Sequence, residues 1–475
     1  MQKNDCLTLR AENLGAEMEG VCRYEGMPVF VPGMLPGEEA TVRIVKAEKR
    51  YAFGRMESSP AVASPDRRTV DCPAYPRCGG CTARHMTYEA TLAAKRQQVA
   101  DCLQRIGGIS AEVSPVLGME EPSRYRNKTS LPAGGTADQP VLGFYAPRSH
   151  AVIPASACPN AMPPADEITA AFLSWMRKHH LEPYRETENK GLIRHLVIRV
   201  NRQGQAMVTV AANAASLPHA RELAELLRPL GVVSLWLNEN RRQTNVILSD
   251  RFHLIDGQET LTDTLLDLRF ELSPASFFQV NPVQTEKLYR TAIDFAGLQP
   301  DELLADVYCG AGTITLSMAR RCRKAIGIEI VPAAVENARR NAAANGIQNV
   351  EFHAGKAEEL LPRFVADGLR PDVIVIDPPR KGVEPPVIRA IAEAGPSRVV
   401  YVSCNPATLA RDAKLLEEAG FRVQKVQPVD MFCWTSGIET VCLLSKKNAK
   451  PKDYVEISVD AEDYYRIKSS EKDAE

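Results

Sequence analysis

Two residues stand out by type and place. Cys404, in Ser403-Cys404-Asn405-Pro406, follows the apolar run Val399-Val400-Tyr401-Val402, and Glu439 opens another apolar run with Thr440 and Val441. A thiolate is a nucleophile and a carboxylate a base, so the pair could add to a ring carbon and later take a proton from the adduct. A cysteine leaving the carboxyl end of a parallel strand stands where open α/β sheets bind ligands. Taken alone, a cysteine is most often a small core hydrophobe. A carboxylate at the start of a buried strand needs a reason.

A second group sits at strand ends. Asp306-Val307-Tyr308-Cys309-Gly310-Ala311-Gly312-Thr313 lies between a strand pattern and a helix pattern, and its glycines let backbone approach a ligand closely. It lacks the full G-x-G-x-x-G fingerprint. Glu329 closes the next strand, where a carboxylate can accept hydrogen bonds from ribose hydroxyls. Asp377-Pro378-Pro379-Arg380 closes a later one. A generic nucleotide-binding sheet with capping acids is the plainer reading of these three places.

A third group is made of thiols. Of 12 cysteines, only Cys72, Cys78 and Cys81 cluster tightly, as C-x5-C-x2-C, with Pro73 and Gly79-Gly80 shaping a tight loop. Cys158, followed by proline as Cys72 is, supplies a candidate fourth ligand. Structural zinc and an iron–sulfur cluster both accept four thiolates, and the spacing alone leaves both open.

The elements that must carry these groups fall into four stretches. Residues 1–60 hold short strand patterns broken by Gly and Pro, which predict a small β-barrel. Its residues 41–55 carry Arg43, Lys46, Lys49, Arg50 and Arg55 against one acid, Glu48, either a solvated face or a surface for phosphates. A polar linker at 58–71 follows. Residues 68–262 contain the cysteine loop and a helix pattern over 88–106. They then mix strands (192–200, 206–211, 234–237 and 244–248) with helices (165–180 and 217–228), an α+β unit. Residues 263–446 turn to β/α alternation: strands at 303–308, 324–329, 372–377 and 398–403, helices at 312–320 and 332–345. That pattern predicts a doubly wound parallel sheet of the Rossmann kind. The charged tail 447–475 has little to bury and reads as mobile.

The chain has 475 residues, enough for two to four domains at about 100–200 residues each. A hydrophobic fraction of 44% and a charged fraction of 25% exclude global disorder and fibrous classes. No run of 18 apolar residues suggests a membrane span, and the polar N-terminus lacks a signal-peptide core. The chain therefore reads as cytoplasmic, where disulfides are rare. The formal net charge of −1 argues against a generally basic coat but leaves room for a local nucleic-acid surface. Arg124, Arg126 and Lys128, interleaved with Tyr125, could grip RNA or form an ordinary strand edge.

Phe278-Gln279-Val280-Asn281, the D-x-Y-C-G-A-G loop, D-P-P-R-K-G at 377–382, S-C-N-P at 403–406 and E-T-V at 439–441 occur together. In combination they resemble the RNA uracil-C5 methyltransferases of the TrmA/RumA group, over nearly the whole chain to about residue 446. The resemblance implies a class I S-adenosylmethionine-dependent methyltransferase domain, with Cys404 as nucleophile and Glu439 as base. Gln279, Tyr308, Glu329 and Asp377 would bind S-adenosylmethionine. Cys72, Cys78, Cys81 and Cys158 would hold a 4Fe–4S cluster, with zinc as the alternative. The barrel resembles a TRAM domain, an OB-like RNA-binding module. The implied partner is RNA, 23S rRNA ahead of tRNA; no protein partner and no membrane are indicated. The chemistry agrees: uracil C5 is a poor nucleophile until a thiolate adds at C6. The family often has a histidine before the base, whereas Ser436-Gly437-Ile438 stands here. Amino-methylating enzymes share D-P-P but need no thiol, and radical enzymes typically use C-x3-C-x2-C, not x5.

Overall fold

Alternation of small apolar and polar residues shapes the first unit of the computed structural model, which describes residues 1–446. Strands Cys6–Leu14, Gly20–Tyr24, Met27–Val31, Glu39–Ala47 and Ala52–Met56 close into a barrel. Leu9, Ala11, Val29, Val31, Val42 and Ile44 fill its interior. The linker is pinned back on it: Arg67 forks onto Glu38, which is fully buried and also accepts from the Leu35 and Ser64 amides. The expected tail at 447–475 lies outside the described residues.

The central unit is a seven-stranded sheet in the order Phe252–Gly257, Val232–Glu239, Ala206–Ala212, Ile193–Val200, Lys128–Gly135, Pro140–Tyr145 and Val152–Pro154. Helices Ala165–Lys178 and Ala220–Leu227 cover one face with Ile168, Phe172, Trp175, Leu223 and Leu227. The strand expected at 244–248 does not form. Side chains take the backbone carbonyls there: Arg194 donates to those of Arg242 and Thr244, and Asn240 to those of Val246 and Ile247. The edge strand is Phe252–Gly257 instead.

The C-terminal sheet runs Val350–Ala354, Lys324–Glu329, Leu303–Val307, Val373–Ile376, Arg398–Ser403, Glu439–Lys446, Phe421–Val429. The first five pair in parallel and Glu439–Lys446 inserts antiparallel. The central four are almost wholly apolar because helices cover both faces. The helix Tyr88–Cys102, extended by a wider turn over Leu103–Gly107, was grouped by sequence with the central unit. It packs instead on the C-terminal core through Val99 and Leu103, and the chain after it bridges Val113 to Val426 and Leu117 to Val429. This segment shields the outer edge of the sheet, where an unpaired strand would otherwise lie open. The barrel docks on the cysteine loop by Met18 and Leu35 against Ala83 and Met86. Among the described residues, no helix is long and apolar enough to cross a membrane.

Candidate active site and cysteine loop

The strand Arg398–Ser403 delivers Cys404, and the neighbouring strand begins at Glu439. Their antiparallel ladder ends on the pair Ser403–Thr440, so Cys404 and Glu439 each stand one residue beyond its last rung, close enough for the charge of Glu439 to act on the thiol. Glu439 is only 5% exposed, and its carboxyl lies well above the ordinary range, first through burial and then through Asp377, with Arg380 opposing. Burial also raises the Cys404 thiol, with Glu439 and Asp377 adding to it, while Arg380 pulls it down by charge and by a side-chain hydrogen bond. One guanidinium thus serves both groups.

These residues open into a cleft of about 1380 Å³ that also reaches Gln279, Tyr308, Glu329 and Asp377. That exceeds the ~300–1,000 Å³ of a single small-ligand pocket and leaves room for a cofactor and a nucleotide together. At one end, Gly310 and Gly312 hold positive φ values of 55° and 78°. A Cβ on Gly312 would lie 2.9 Å from the Phe352 ring, so only glycine fits there. Tyr308 shares the positive φ, at 73°, a strain for a non-glycine residue. Glu329 accepts from the Gly310 and Val331 amides, which fixes its carboxylate at the loop. Asp377 and Asp306 are both pushed up to about 7 by burial, Asp377 further by Asp306. Gln279 lies on the cleft wall, its backbone carbonyl accepting from Asn127 at 3.0 Å. Asn281 caps the helix Pro282–Ala296 that follows.

The cysteine loop is a separate centre. Burial raises the Cys78, Cys81 and Cys158 thiols. Cys158 and Cys72 then act on Cys78, Cys158 and Cys78 on Cys81, and Cys72 on Cys158, so the four thiols neighbour one another. The Gly80 amide donates to the Cys78 sulfur and the Asn160 side chain to the Cys81 sulfur. Arg84, held by Asp71 and Asn160, brings positive charge beside Cys81. Among the described residues, a tighter group of three metal-type donors occurs only at His179, His219 and Glu222, away from this loop.

Sequence reading missed what links the two centres. The Trp434 carbonyl accepts from the Thr82 and Ala83 amides of the cysteine loop, and its indole N–H donates to Pro122. Arg68 lies 4.7 Å and Arg84 5.5 Å from its ring centre. The loop it anchors runs on to Glu439. Nothing in a single tryptophan announces this. Arg380 could have been singled out, since it sits within the D-P-P-R-K-G motif. Of the basic trio at 124–128, Arg124 is taken up internally by Asp166 and by the Cys158 and Ala161 carbonyls.

Comparisons with known proteins agree with this geometry. A family model described as tRNA (Uracil-5-)-methyltransferase matches residues 242–447, and a TRAM domain model matches 7–56. An RNA methyltransferase of Clostridium tetani is 42% identical over 457 residues, 95% of this chain and 99% of that protein. One of Halalkalibacterium halodurans is 42% identical over 452 residues, 94% of this chain and 98% of its own. The crystal structure of Pyrococcus abyssi tRNA (uracil-54, C5)-methyltransferase with S-adenosyl-L-homocysteine is similar over 92% of this chain and 100% of that one, with TM-score 0.75 and 26% identity. Likeness of this extent, with the barrel and the C-terminal part each matched by a family model, means that the chain belongs to the TRAM-bearing RNA uracil-C5 methyltransferase family of the TrmA/RumA group.

Proposed function

We propose that this enzyme methylates C5 of a uridine in 23S rRNA, with Cys404 as nucleophile and Glu439 as base. The adjacency of thiol and carboxyl at the end of that ladder, both lining the cleft, carries this reading. S-adenosylmethionine, when bound, supplies an electrophilic methyl group on a positively charged sulfur. Glu329, Tyr308, Gln279 and the glycine loop would hold it. The site fits a cation, since Asp377 lines the cleft as a buried carboxyl pushed up to about 7, which positive charge relieves.

The chain's own residues do the rest. Arg380 beside Cys404 favours its thiolate. The Cys404 sulfur bonds to uracil C6, which makes C5 a carbon nucleophile able to accept the methyl group. The C5 proton then passes to the Glu439 carboxylate, the C6–sulfur bond breaks, and the thiolate is restored. A raised carboxyl is suited to proton transfer near neutral pH. Cys404→Ala should abolish methylation. Glu439→Gln should still add and methylate but fail to release, leaving a covalent protein–RNA complex on a denaturing gel. A Glu439→Gln enzyme that turns over near normally and leaves no such complex would refute the assignment.

For the target, the expectation of 23S rRNA rests on the four-cysteine set together with the barrel. The family model and the Pyrococcus abyssi structure are named for tRNA, which favours a second reading. Methyl transfer to each transcribed RNA separates them: labelled tRNA with inert 23S rRNA would overturn the first.

The four cysteines are proposed to hold a 4Fe–4S cluster. Their mutual proximity and the N–H donors aimed at two sulfurs support it. Zinc, which also accepts four thiolates in a tetrahedral site, is the alternative. Protein purified without oxygen should carry about four irons. Stoichiometric zinc without iron would overturn the cluster.

A further inference from the structure

In the central sheet, next to two residues that line the cleft, two cations are paired. Lys128 and Arg199 are directly paired in the antiparallel ladder between Lys128–Gly135 and Ile193–Val200. Directly paired residues point to the same face with Cβ atoms about 5 Å apart, and like charges there repel. Arg199 is 3% exposed. Its Nη2 donates to the Ser276 carbonyl, a neutral acceptor, while its Nη1 is buried with no partner among the described residues. Two residues along from Lys128, on the same face, the Ser130 hydroxyl is also buried and unpartnered. A buried donor left unpaired is costly, and two cations side by side make it worse.

Acids do not answer the charge. Among the described residues, Asp263 is the one carboxylate acting on Arg199, and its own carboxyl is raised by burial. Lys128 is brought down to about 8 by burial, then by Arg199 and Arg126. Arg126 and Ser276 both line the cleft that holds Cys404, and Lys128 keeps part of its surface open to solvent. A region with orphaned donors, excess positive charge and an open side is built for an anion with several acceptor oxygens.

We propose that Lys128 and Arg199 seat a backbone phosphate of the substrate RNA beside the uridine that enters the cleft. The proposal rests on the RNA-methylating reading of the same cleft. A base-modifying enzyme must draw one nucleotide out of its stack, and phosphate contacts set the register in which it does so. Arg199 lies too deep for a general electrostatic role and its free Nη1 is directional. Lys128 supplies a point charge that can follow the phosphate. The pair is therefore a positioning device, kept at a cost to the RNA-free protein.

The cost makes the test discriminating. RNA affinity is measured against salt concentration for the wild type and Lys128→Gln. Losing one phosphate contact should reduce the slope of log affinity on log salt by about 0.7–0.9. S-adenosylhomocysteine binding should be unchanged, and the thermal midpoint of the RNA-free protein should stay level or rise, because the repulsion is gone. Replacing the phosphate next to the target uridine by an uncharged methylphosphonate should weaken the wild type and leave Lys128→Gln indifferent. An unchanged salt slope would overturn the proposal, and so would a lowered midpoint without a change of slope, which marks Lys128 as merely structural. If inorganic phosphate raises the midpoint of the wild type alone while both bind RNA with equal slopes, the pair is a seat for a free anion and the RNA assignment fails. Wild-type methyl transfer to the same RNA runs alongside. Its absence would refute the methylation reading, while the slopes still decide whether the phosphate seat exists.

Discussion

Asp306 and Asp377 end adjacent strands of the C-terminal sheet, and their burial sets a pH dependence whose sign can be worked out. Both carboxyls lie at about 7 in the folded chain against an ordinary value of 3.8. Between those values the folded state holds protons that the unfolded chain has released, so each group's contribution to stability falls as pH rises through this window and levels off above it. Asp377→Asn removes one such contribution. Urea unfolding should show the variant gaining on the wild type as pH goes from about 5 to about 8. A difference that does not vary with pH would mean that Asp377 is not a buried raised acid. In S-adenosylmethionine titrations the same variant should bind more weakly, since it has lost an anion from the cleft.

At the scale of elements, the segment between the strands Phe421–Val429 and Glu439–Lys446 decides where Glu439 stands. It is held from below by a fully buried ion pair: Lys95, on the helix Tyr88–Cys102, reaches Asp430 at 2.5 Å. Lys95 also donates to the Phe432 carbonyl, and Tyr88 donates to Asp430 at 2.7 Å. Breaking a buried pair by removing one partner costs about 3–5 kcal/mol, because the other charge is stranded. Lys95→Met should lose stability on that scale in urea unfolding. A loss below about 1 kcal/mol would show that the pair behaves as an exposed one. From above, Trp434 joins the segment to the cysteine loop, so the loop that carries Cys72, Cys78 and Cys81 also supports the stretch leading to Glu439.

The three units converge on one cleft. The barrel reaches it by the turn at 15–19, where Glu17 accepts from Ser436 at 2.8 Å, and Glu17, Arg126 and Cys404 line the same space. The basic stretch of the barrel is less free than its composition suggests: Arg43 and Arg55 share Glu57, and Lys46 pairs with Glu48. Lys49 and Arg50 remain exposed at the turn, beside the aromatic trio Phe30, Tyr51 and Phe53, whose ring centres are 5.6–6.1 Å apart. Cations next to an exposed ring, Tyr51, backed by two half-buried ones suit a single strand of RNA. Lys49→Gln with Arg50→Gln should reduce the salt slope of RNA binding by about 1.4, at roughly 0.7 for each contact with a single strand. An unaltered slope would assign the barrel to another partner.

The sequence by itself determined the barrel, the β/α alternation after 300, the strand-end acids and the thiol, because each is written in local spacing: periods of apolar residues, turn glycines, motifs a few residues long. It also supplied the four cysteines as a set. What it could not supply were contacts between residues far apart in the chain. Cys404 comes beside Glu439 because an antiparallel strand inserts beside a parallel one, and Lys128 pairs with Arg199 because of the register of a ladder. The helix at 88–102 joins the C-terminal core because that sheet has an edge to cover. The strand expected at 244–248 was lost to side chains of Arg194 and Asn240, which claim its carbonyls. Ladder register, edge covering and side-chain capture are settled only when the chain is packed, since each depends on which distant groups arrive at the same place.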